Sequence, residues 1–595
     1  MLPIGLSMIT PKAVIQKCAA APRVAHMLHR RYVLSLAPLL QTPSINCIYF
    51  QKCSFAATLA PHIPSQSRKP SVPCIESTLP TSPDADEEYH ALRMQQLSLL
   101  NENPYPLAVD PSHLYSHPAF ISTFDDLCQP PETWLDDSYQ ASITGRVVLR
   151  RDASKNLIFL VIERQGIQVQ AIMNRRVWPV EQWDAFSTLS NAIGLGDIVF
   201  IHGQPGRTKA GQLSLRANSV VILAPCLHFY PKKHVLLLDE NVRFRQRYLD
   251  MLVHPNTVQV FKKRSKIITE IRSFLDRRDF IEIETPVLSA TSGGANAKPF
   301  KTRMDAMKLD LEMRIAPELY LKQLVIGGIE RVYEIGKQFR NEGIDKTHNP
   351  EFTTCEFYQA FGTVEGAMKL TEDMIREIAQ SVNGSTIVSW EASDGLMVEI
   401  DMSPPFRKIA ILPALEEALG QSLPDVNDPA SISQLLEICK EKNITLRAPF
   451  TVPRILDRLI SHFIEPRCVQ PTFLTGHPIC MSPLAKAGTQ EGIADRFELF
   501  IGTKELANAY LELNDPVEQR RRFVAQRLQR DQGDMEAQSM NEEFCVALEY
   551  GLPPTVGWGL GIDRMCMLLT QSTRIREVIP FPILRPIEQP LKIND

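Results

Sequence analysis

Phe339-Arg340-Asn341-Glu342-Gly343, running on to His348-Asn349-Pro350-Glu351-Phe352, and a later stretch, Gly557-Trp558-Gly559-Leu560-Gly561-Ile562-Asp563-Arg564, decide the reading of this chain. An Arg guanidinium makes forked hydrogen bonds to phosphate oxygens where a Lys offers a point charge. Arg340 beside Glu342 therefore points to polar recognition of a nucleotide rather than to charge alone. Gly559 and Gly561 let a backbone approach a flat ligand that a Cβ could obstruct. Each segment alone has a plainer reading, with Arg340 and Arg564 as surface ion-pair residues and the glycines as turns.

At 595 residues the chain is too long for one core and suggests three or four units, at about 150 residues per domain. Its composition is that of a soluble globular protein. The twelve cysteines form no Cys-x-x-Cys pair and no Cys/His cluster at zinc spacing, which argues against a disulfide framework or a structural zinc and for a reducing compartment. No apolar run approaches the length of about 20 residues needed to span a bilayer. Residues 1–75 hold eight Lys or Arg and no Asp or Glu, with Arg23, Arg30 and Arg31 among apolar and hydroxyl residues. The segment reads as a mitochondrial transit peptide, against a secretory signal with an apolar stretch at Tyr32–Leu40 that lies far from the terminus. Its removal takes the formal charge from −4 to −12, so any nucleic-acid contact uses a local basic patch.

Residues 76–137 read as a linker, rich in Pro and Ser and ending in an acidic run at 84–88, followed by a short helix over Tyr89–Leu100 that stops at Asn103-Pro104-Tyr105-Pro106. Between 138 and 225 come five β-rich runs, Ala141–Arg150, Leu157–Glu163, Ile167–Met173, Asp197–Gly203 and Gln212–Ile222, with a helical excursion near 180–193. That pattern suits an all-β OB-fold, a small barrel that binds single-stranded nucleic acid. A connector at 226–240 leads into the domain at 241–595. There Val258–Arg278 spaces Val260, Phe261, Ile267, Ile268, Ile271, Phe274 and Leu275 on one helical face, and a strand is expected over Phe280–Pro286.

Together the two opening segments resemble motifs 2 and 3 of class II aminoacyl-tRNA synthetases, and residues 89–585 resemble the lysyl branch of that class, in its eukaryotic type and mitochondrial form. The resemblance implies an α+β fold: an antiparallel sheet with flanking helices, preceded by the OB-fold as anticodon-binding domain. It implies a lysine–tRNA ligase acting on ATP, L-lysine and tRNA(Lys) in the mitochondrial matrix, with Mg²⁺. The helix, strand and proline at 258–286 resemble motif 1, which forms the dimer interface in the family, so a homodimer is expected. An alternative start such as Met94 would give a cytosolic form.

The same resemblance assigns roles. Arg340 clamps the α-phosphate, Glu342 belongs with it to the catalytic, ATP-binding set, His348 and Phe352 lie near the phosphates and adenine, and Arg564 covers the opposite face of that ring. Glu498 and Glu505 match the acidic pair that binds Mg²⁺. Glu356, Tyr358, Asn508, Tyr510 and Glu512 surround the lysine side chain, Gly294 and Glu318 its α-amino group, and Arg340 lies close to its carboxylate. Strand alternation supports the grouping, since Glu356 and Tyr358 share one face and Asn508, Tyr510 and Glu512 share another. Phe159 and Gln170 fall where the family stacks on and reads an anticodon base, and Gln212 stands where relatives commonly carry Glu. From pattern alone Phe159, Tyr358 and Tyr510 are equally readable as core aromatics. Two further departures are Gly476, in place of a common Asp, and Thr347 before His348. The rival readings are an aspartyl- or asparaginyl-type enzyme of the same fold, which would need cations or amides facing its side chain, and a catalytically silent RNA-binding paralogue.

Overall fold

The computed structural model describes residues 83–586, apart from residues 101, 110, 232–238, 392–394, 404, 532 and 535. Residues 1–75, read above as a transit peptide, lie outside the described residues, as do the first residues of the linker and about half of the connector.

Five strands close into a barrel in the order β1-β2-β3-β5-β4: β1 (Ala141–Ser154), β2 (Leu157–Arg164), β3 (Ile167–Asn174), β4 (Ile198–Arg207) and β5 (Leu213–Ala224). The period of two along β2 sends Ile158, Leu160 and Ile162 into the barrel core and leaves Phe159 half-buried on the outside. Alternation thus settles against Phe159 as a core aromatic. The helical excursion is the helix Trp183–Ala192, which seats Phe186 in the same core. The N-terminal helix spans Pro83–Ser98, earlier than the expected Tyr89–Leu100. The acidic run read as linker forms its first turns, where negative side chains favour a helix N-terminus. This helix is pinned to the barrel by Arg93, whose Nη2 donates to both carboxylate oxygens of Asp197 at 2.9 Å in a buried pair.

The larger domain is built on an eight-stranded sheet. In spatial order its strands are Arg407–Ala410, Thr472–Thr475, Arg496–Ile501, Lys504–Leu511, Thr555–Gly561, Glu351–Ala360, Arg331–Phe339 and Ile281–Glu282. The six inner strands are antiparallel and each edge strand pairs parallel with its neighbour. One face of the sheet is apolar. Phe357 stacks on its cross-strand partner Trp558 (centroids 4.7 Å apart), and Phe497, Leu499 and Ala509 continue the layer. The helices Pro255–Asp276, Val364–Asn383 and Ile562–Thr570 cover it. The opposite parity, with Glu356, Tyr358, Glu498, Asn508 and Tyr510, faces away from those helices, so the sheet's own alternation separates a dry side from a polar one.

One expectation changes at the end of the long helix. The strand predicted over Phe280–Pro286 shrinks to Ile281–Glu282. Ile283 N–H still reaches Tyr333 O at 2.9 Å, but Thr285 turns its N–H and hydroxyl to the Glu334 carboxylate, and Pro286 has no donor to continue the ladder. The apolar face of the helix is covered within its own domain, as for an ordinary core helix: Ile267, Ile271, Phe274 and Leu275 are buried in the sheet's core. Exposed apolar side chains lie instead just beyond it, at Ile281, Val287 and Leu288, along the sheet edge.

Candidate active site

A cleft of about 410 Å³ opens on the polar face of the sheet, within the size range of small-molecule sites. Its floor is made by the strand Thr555–Gly561, where Gly557 pairs with Tyr358 on one side and Tyr510 on the other, and Gly559 lies between Glu356 and Asn508. Glycines on the central strand leave a trough between side chains raised by both neighbours. At Gly557 this is obligatory: a Cβ would lie 1.9 Å from Glu512 Oε1 and 2.7 Å from the Tyr358 ring. At Gly559 and Gly561 a Cβ would meet nothing closer than 3.4 Å, so these two remain bare toward the cleft rather than toward the protein.

One end of the trough is acidic. Glu318 opens the helix Glu318–Ile326 and is held on both oxygens, by Lys322 Nζ at 2.6 Å and by the Tyr510 hydroxyl at 2.8 Å. The same Lys322 Nζ donates to Glu512 Oε2 at 2.6 Å, and both Lys322 and Glu512 have no exposed surface. Glu512 Oε1 has no hydrogen-bond partner. Glu356 is half-buried and touched only at long range, by Thr354 Oγ1 at 3.4 Å and Tyr358 OH at 3.5 Å. Burial and the charge of Glu318, against the opposing pull of Arg340, push its carboxyl up to about 8. Gly294 reaches this end with φ +87°, its Cα so close that a Cβ would lie 2.9 Å from Glu318 Cβ.

The other end carries cations. Arg340 leans its guanidinium over Phe352, 5.1 Å from the ring centroid, and bonds only weakly to Ile315 O at 3.4 Å, so its fork is free. Its charge acts on both Glu356 and Glu505, which places it between the acidic end and the Arg564 side. Arg564 Nη1 donates to Glu505 O at 2.7 Å and Nη2 lies 3.1 Å from His348 Nε2. A guanidinium cannot accept, so His348 accepts on Nε2 and donates Nδ1–H to Asp345, 2.8 Å away. Glu342, with His348, sits exposed on the loop that covers this end.

Glu498 and Glu505 stand on adjacent strands. Burial opposes the charge of Glu498, but Arg496, ion-paired to it, and His477, 3.3 Å away, outweigh burial and hold it down at about 2. Glu505 is pushed up by burial and by Glu498. Among the described residues no cluster of three or more His, Cys, Asp or Glu surrounds one point. Two hard carboxylate donors fit Mg²⁺ when phosphate oxygens and water complete its octahedral shell.

The residues expected from the sequence therefore meet in one cleft, except the anticodon group on the barrel and Glu498, which turns to Arg496 and His477. Lys322, Arg496, Gly557 and Asp345 were not singled out. Arg496 shares strand parity with Glu498 and binds Asn508 Oδ1 at 3.1 Å, a signal available from alternation. Lys322 lies one helical turn after Glu318, a spacing that normally marks a solvated pair.

Residues 239–585 match the family model described as tRNA synthetases class II (D, K and N), and residues 141–223 that of the OB-fold nucleic acid binding domain. The chain belongs to the class II tRNA synthetases. It is 44% identical over 524 residues to a protein named lysine–tRNA ligase cla4 from Cladosporium cladosporioides, covering 85% of this chain and 87% of that one. It is 42% identical over 515 residues to a probable cytoplasmic lysine–tRNA ligase of Encephalitozoon cuniculi (84% and 98% covered). It is 44% identical over 463 residues to a lysine–tRNA ligase of Xanthomonas oryzae pv. oryzae (76% and 89%). The synthetase's barrel carries Phe159 outward with Arg151 stacked on it at 4.7 Å, Gln170 bonded through Nε2 to Ser214 Oγ at 3.0 Å, and Gln212 exposed at the turn before β5. Phe159 and Gln170 share the outer face of neighbouring strands, by the pairing of Val161 with Gln170.

Proposed function

We propose that the protein is a lysine–tRNA ligase that serves mitochondrial translation as a homodimer. The observation that carries the substrate is the acidic end of the cleft. Glu318, Glu356 and Glu512 converge there, and the cation present, Lys322, is already engaged by two of them. An aspartate side chain would add a further carboxylate to this acidic end, whereas an ε-ammonium finds Glu356 weakly partnered.

Activation joins two anions, the lysine carboxylate and the α-phosphate, so charge neutralisation contributes more than proton transfer. Arg340, between the acidic end and the Arg564 side, presents forked donors to both. Its contact with Phe352 holds the guanidinium in place, and Arg564, braced by Glu505 O and His348, offers a planar face to the adenine. Glu505, which lines the cleft, would hold Mg²⁺, with Glu498 joining it on turning from Arg496 and His477; when bound the ion neutralises the phosphates of ATP. No general base is required. In the second half-reaction the lysyl group passes to the terminal adenosine of tRNA(Lys), whose anticodon is received by the outer face of the barrel through Phe159 and Gln170.

Amino-acid-dependent ATP–pyrophosphate exchange on the protein lacking residues 1–75 tests the assignment. Turnover with lysine is expected, and turnover with aspartate or asparagine, or with none, overturns it. The mitochondrial reading rests on the basic, acid-free first 75 residues; a fusion of this segment to a fluorescent reporter that stayed in the cytosol would refute it. The dimer rests on the exposed edge at Ile281, Val287 and Leu288, and an active monomer in sedimentation at micromolar concentration counts against it.

A further inference from the structure

Lys322 is a charged group buried behind the cleft's acidic end that the activation chemistry leaves unused. It has no exposed surface, sits 5.2 Å from the Phe544 ring centroid, and divides its ammonium between Glu318 Oε1 and Glu512 Oε2 at 2.6 Å each. A lysine side chain is rarely buried unless paired. Here it is paired twice, and its partners come from different places in the fold: Glu318 from the same helix, Glu512 from the end of the strand Lys504–Leu511. Two bonds of this length on one nitrogen bring the two carboxylates together despite their repulsion.

Resting on the lysine–tRNA ligase reading, we propose that Lys322 is a positioning residue that sets amino-acid specificity: its ammonium fixes the separation and the charge of Glu318 and Glu512, the carboxylates facing the two amino groups of the substrate. Once the substrate's ammonium groups have drawn Glu318, Glu356 and Glu512 into their ionised forms, three carboxylates less one internal cation give −2, which matches the α- and ε-ammonium groups of lysine. The fixed spacing of Glu318 and Glu512 selects the length of chain between them. Tyr510 secures the second oxygen of Glu318, and the unpartnered Glu512 Oε1, above Gly557, keeps a lone pair for a ligand. The charged and titratable groups around Glu512 are Lys322 and Glu318 from the helix, Glu356 and Tyr358 from the strand beyond the glycine strand, and Tyr510 from its own. Burial opposes the charge on Lys322, but the two carboxylates outweigh it and raise its pKa. The cation therefore persists; burial pushes the Glu512 carboxyl well above its usual range, and Lys322 is the charge that pulls it back down.

The test is lysine- and ornithine-dependent ATP–pyrophosphate exchange by Lys322→Met, which keeps the length of the side chain and removes its charge. The KM for lysine should rise about tenfold or more, the scale of a lost charge-assisted bond, with the KM for ATP unchanged. The preference for lysine over ornithine should narrow. Without its cation the buried Glu512 takes up a proton, which must leave when an ammonium binds. The fall of log KM for lysine with pH between 6 and 8 should therefore steepen from about one proton toward two. A purely structural role would alter both amino acids alike and leave that slope unchanged, and either outcome overturns the proposal. Should Lys322→Met not fold, Lys322→Arg keeps a cation but changes its donor geometry. It is expected to shift the lysine/ornithine ratio without the second proton, and an unshifted ratio refutes the proposal. Lysine-dependent exchange by the unmodified protein separates this failure from failure of the assignment itself.

Discussion

Glu356→Gln probes the link between burial and selectivity most directly. In the free protein this carboxyl titrates at about 8, so at pH 7 roughly nine molecules in ten carry a proton there. An ammonium ligand needs the ionised form. Removing that proton costs about 1.4 kcal/mol at pH 7 and about 2.7 kcal/mol at pH 6, at 1.36 kcal/mol per pKa unit. The sign follows from the raised pKa: the ionised fraction grows as pH rises toward 8, so the KM for lysine should fall about tenfold per pH unit between 6 and 8 and then level. At pH 8 the variant exchanges a charge-assisted hydrogen bond, worth roughly 1.5–3 kcal/mol, for a neutral one of roughly 0.5–1.5 kcal/mol. A loss of about 1–2 kcal/mol raises KM roughly five- to thirty-fold. Glutamine does not titrate, so the variant's KM should be flat, and the two curves should converge between pH 6 and 7. Lysine-dependent pyrophosphate exchange across this range is the assay. A pH-independent KM in the unmodified protein, or a variant curve parallel to it, would refute the reasoning.

Gly557→Ala places a methyl 1.9 Å from Glu512 Oε1; overpacking of this kind costs about 1–3 kcal/mol, and the KM for lysine should rise while that for ATP holds. Arg247 is 1% exposed and donates to the carbonyls of Arg576, Ile579 and Pro580 and to Asp250. Asp250 keeps Arg243, His254 and Thr257, so Arg247→Ala should act by leaving these buried carbonyls without a donor, at about 1–3 kcal/mol each, seen as a fall in the midpoint of denaturant unfolding. Phe159→Ala should weaken tRNA binding by about 1–3 kcal/mol in filter-binding or KM measurements, with pyrophosphate exchange unaffected.

Much was legible in the sequence because it depends on local rules. Five β-rich runs between polar turns marked the barrel strands, alternation put Glu356 with Tyr358 and Asn508 with Tyr510, and Gly559 and Gly561 marked where a ligand meets bare backbone. Helix periodicity found the apolar stripe from Ile267 to Leu275, yet could not say what covers it. The sheet does, since its dry face runs directly beneath. The state of each charge likewise depends on neighbours distant along the chain. Glu512 and Glu318, 194 residues apart in the numbering, share one buried ammonium, and Glu498 is claimed by Arg496 and by His477 from a separate loop. Residue type and spacing thus determined the elements and which side chains could do chemistry. Which carboxylates stay ionised and which one is left for a ligand was decided only by tertiary packing, because the cost of a buried charge is set by the groups the fold brings within a few ångströms of it.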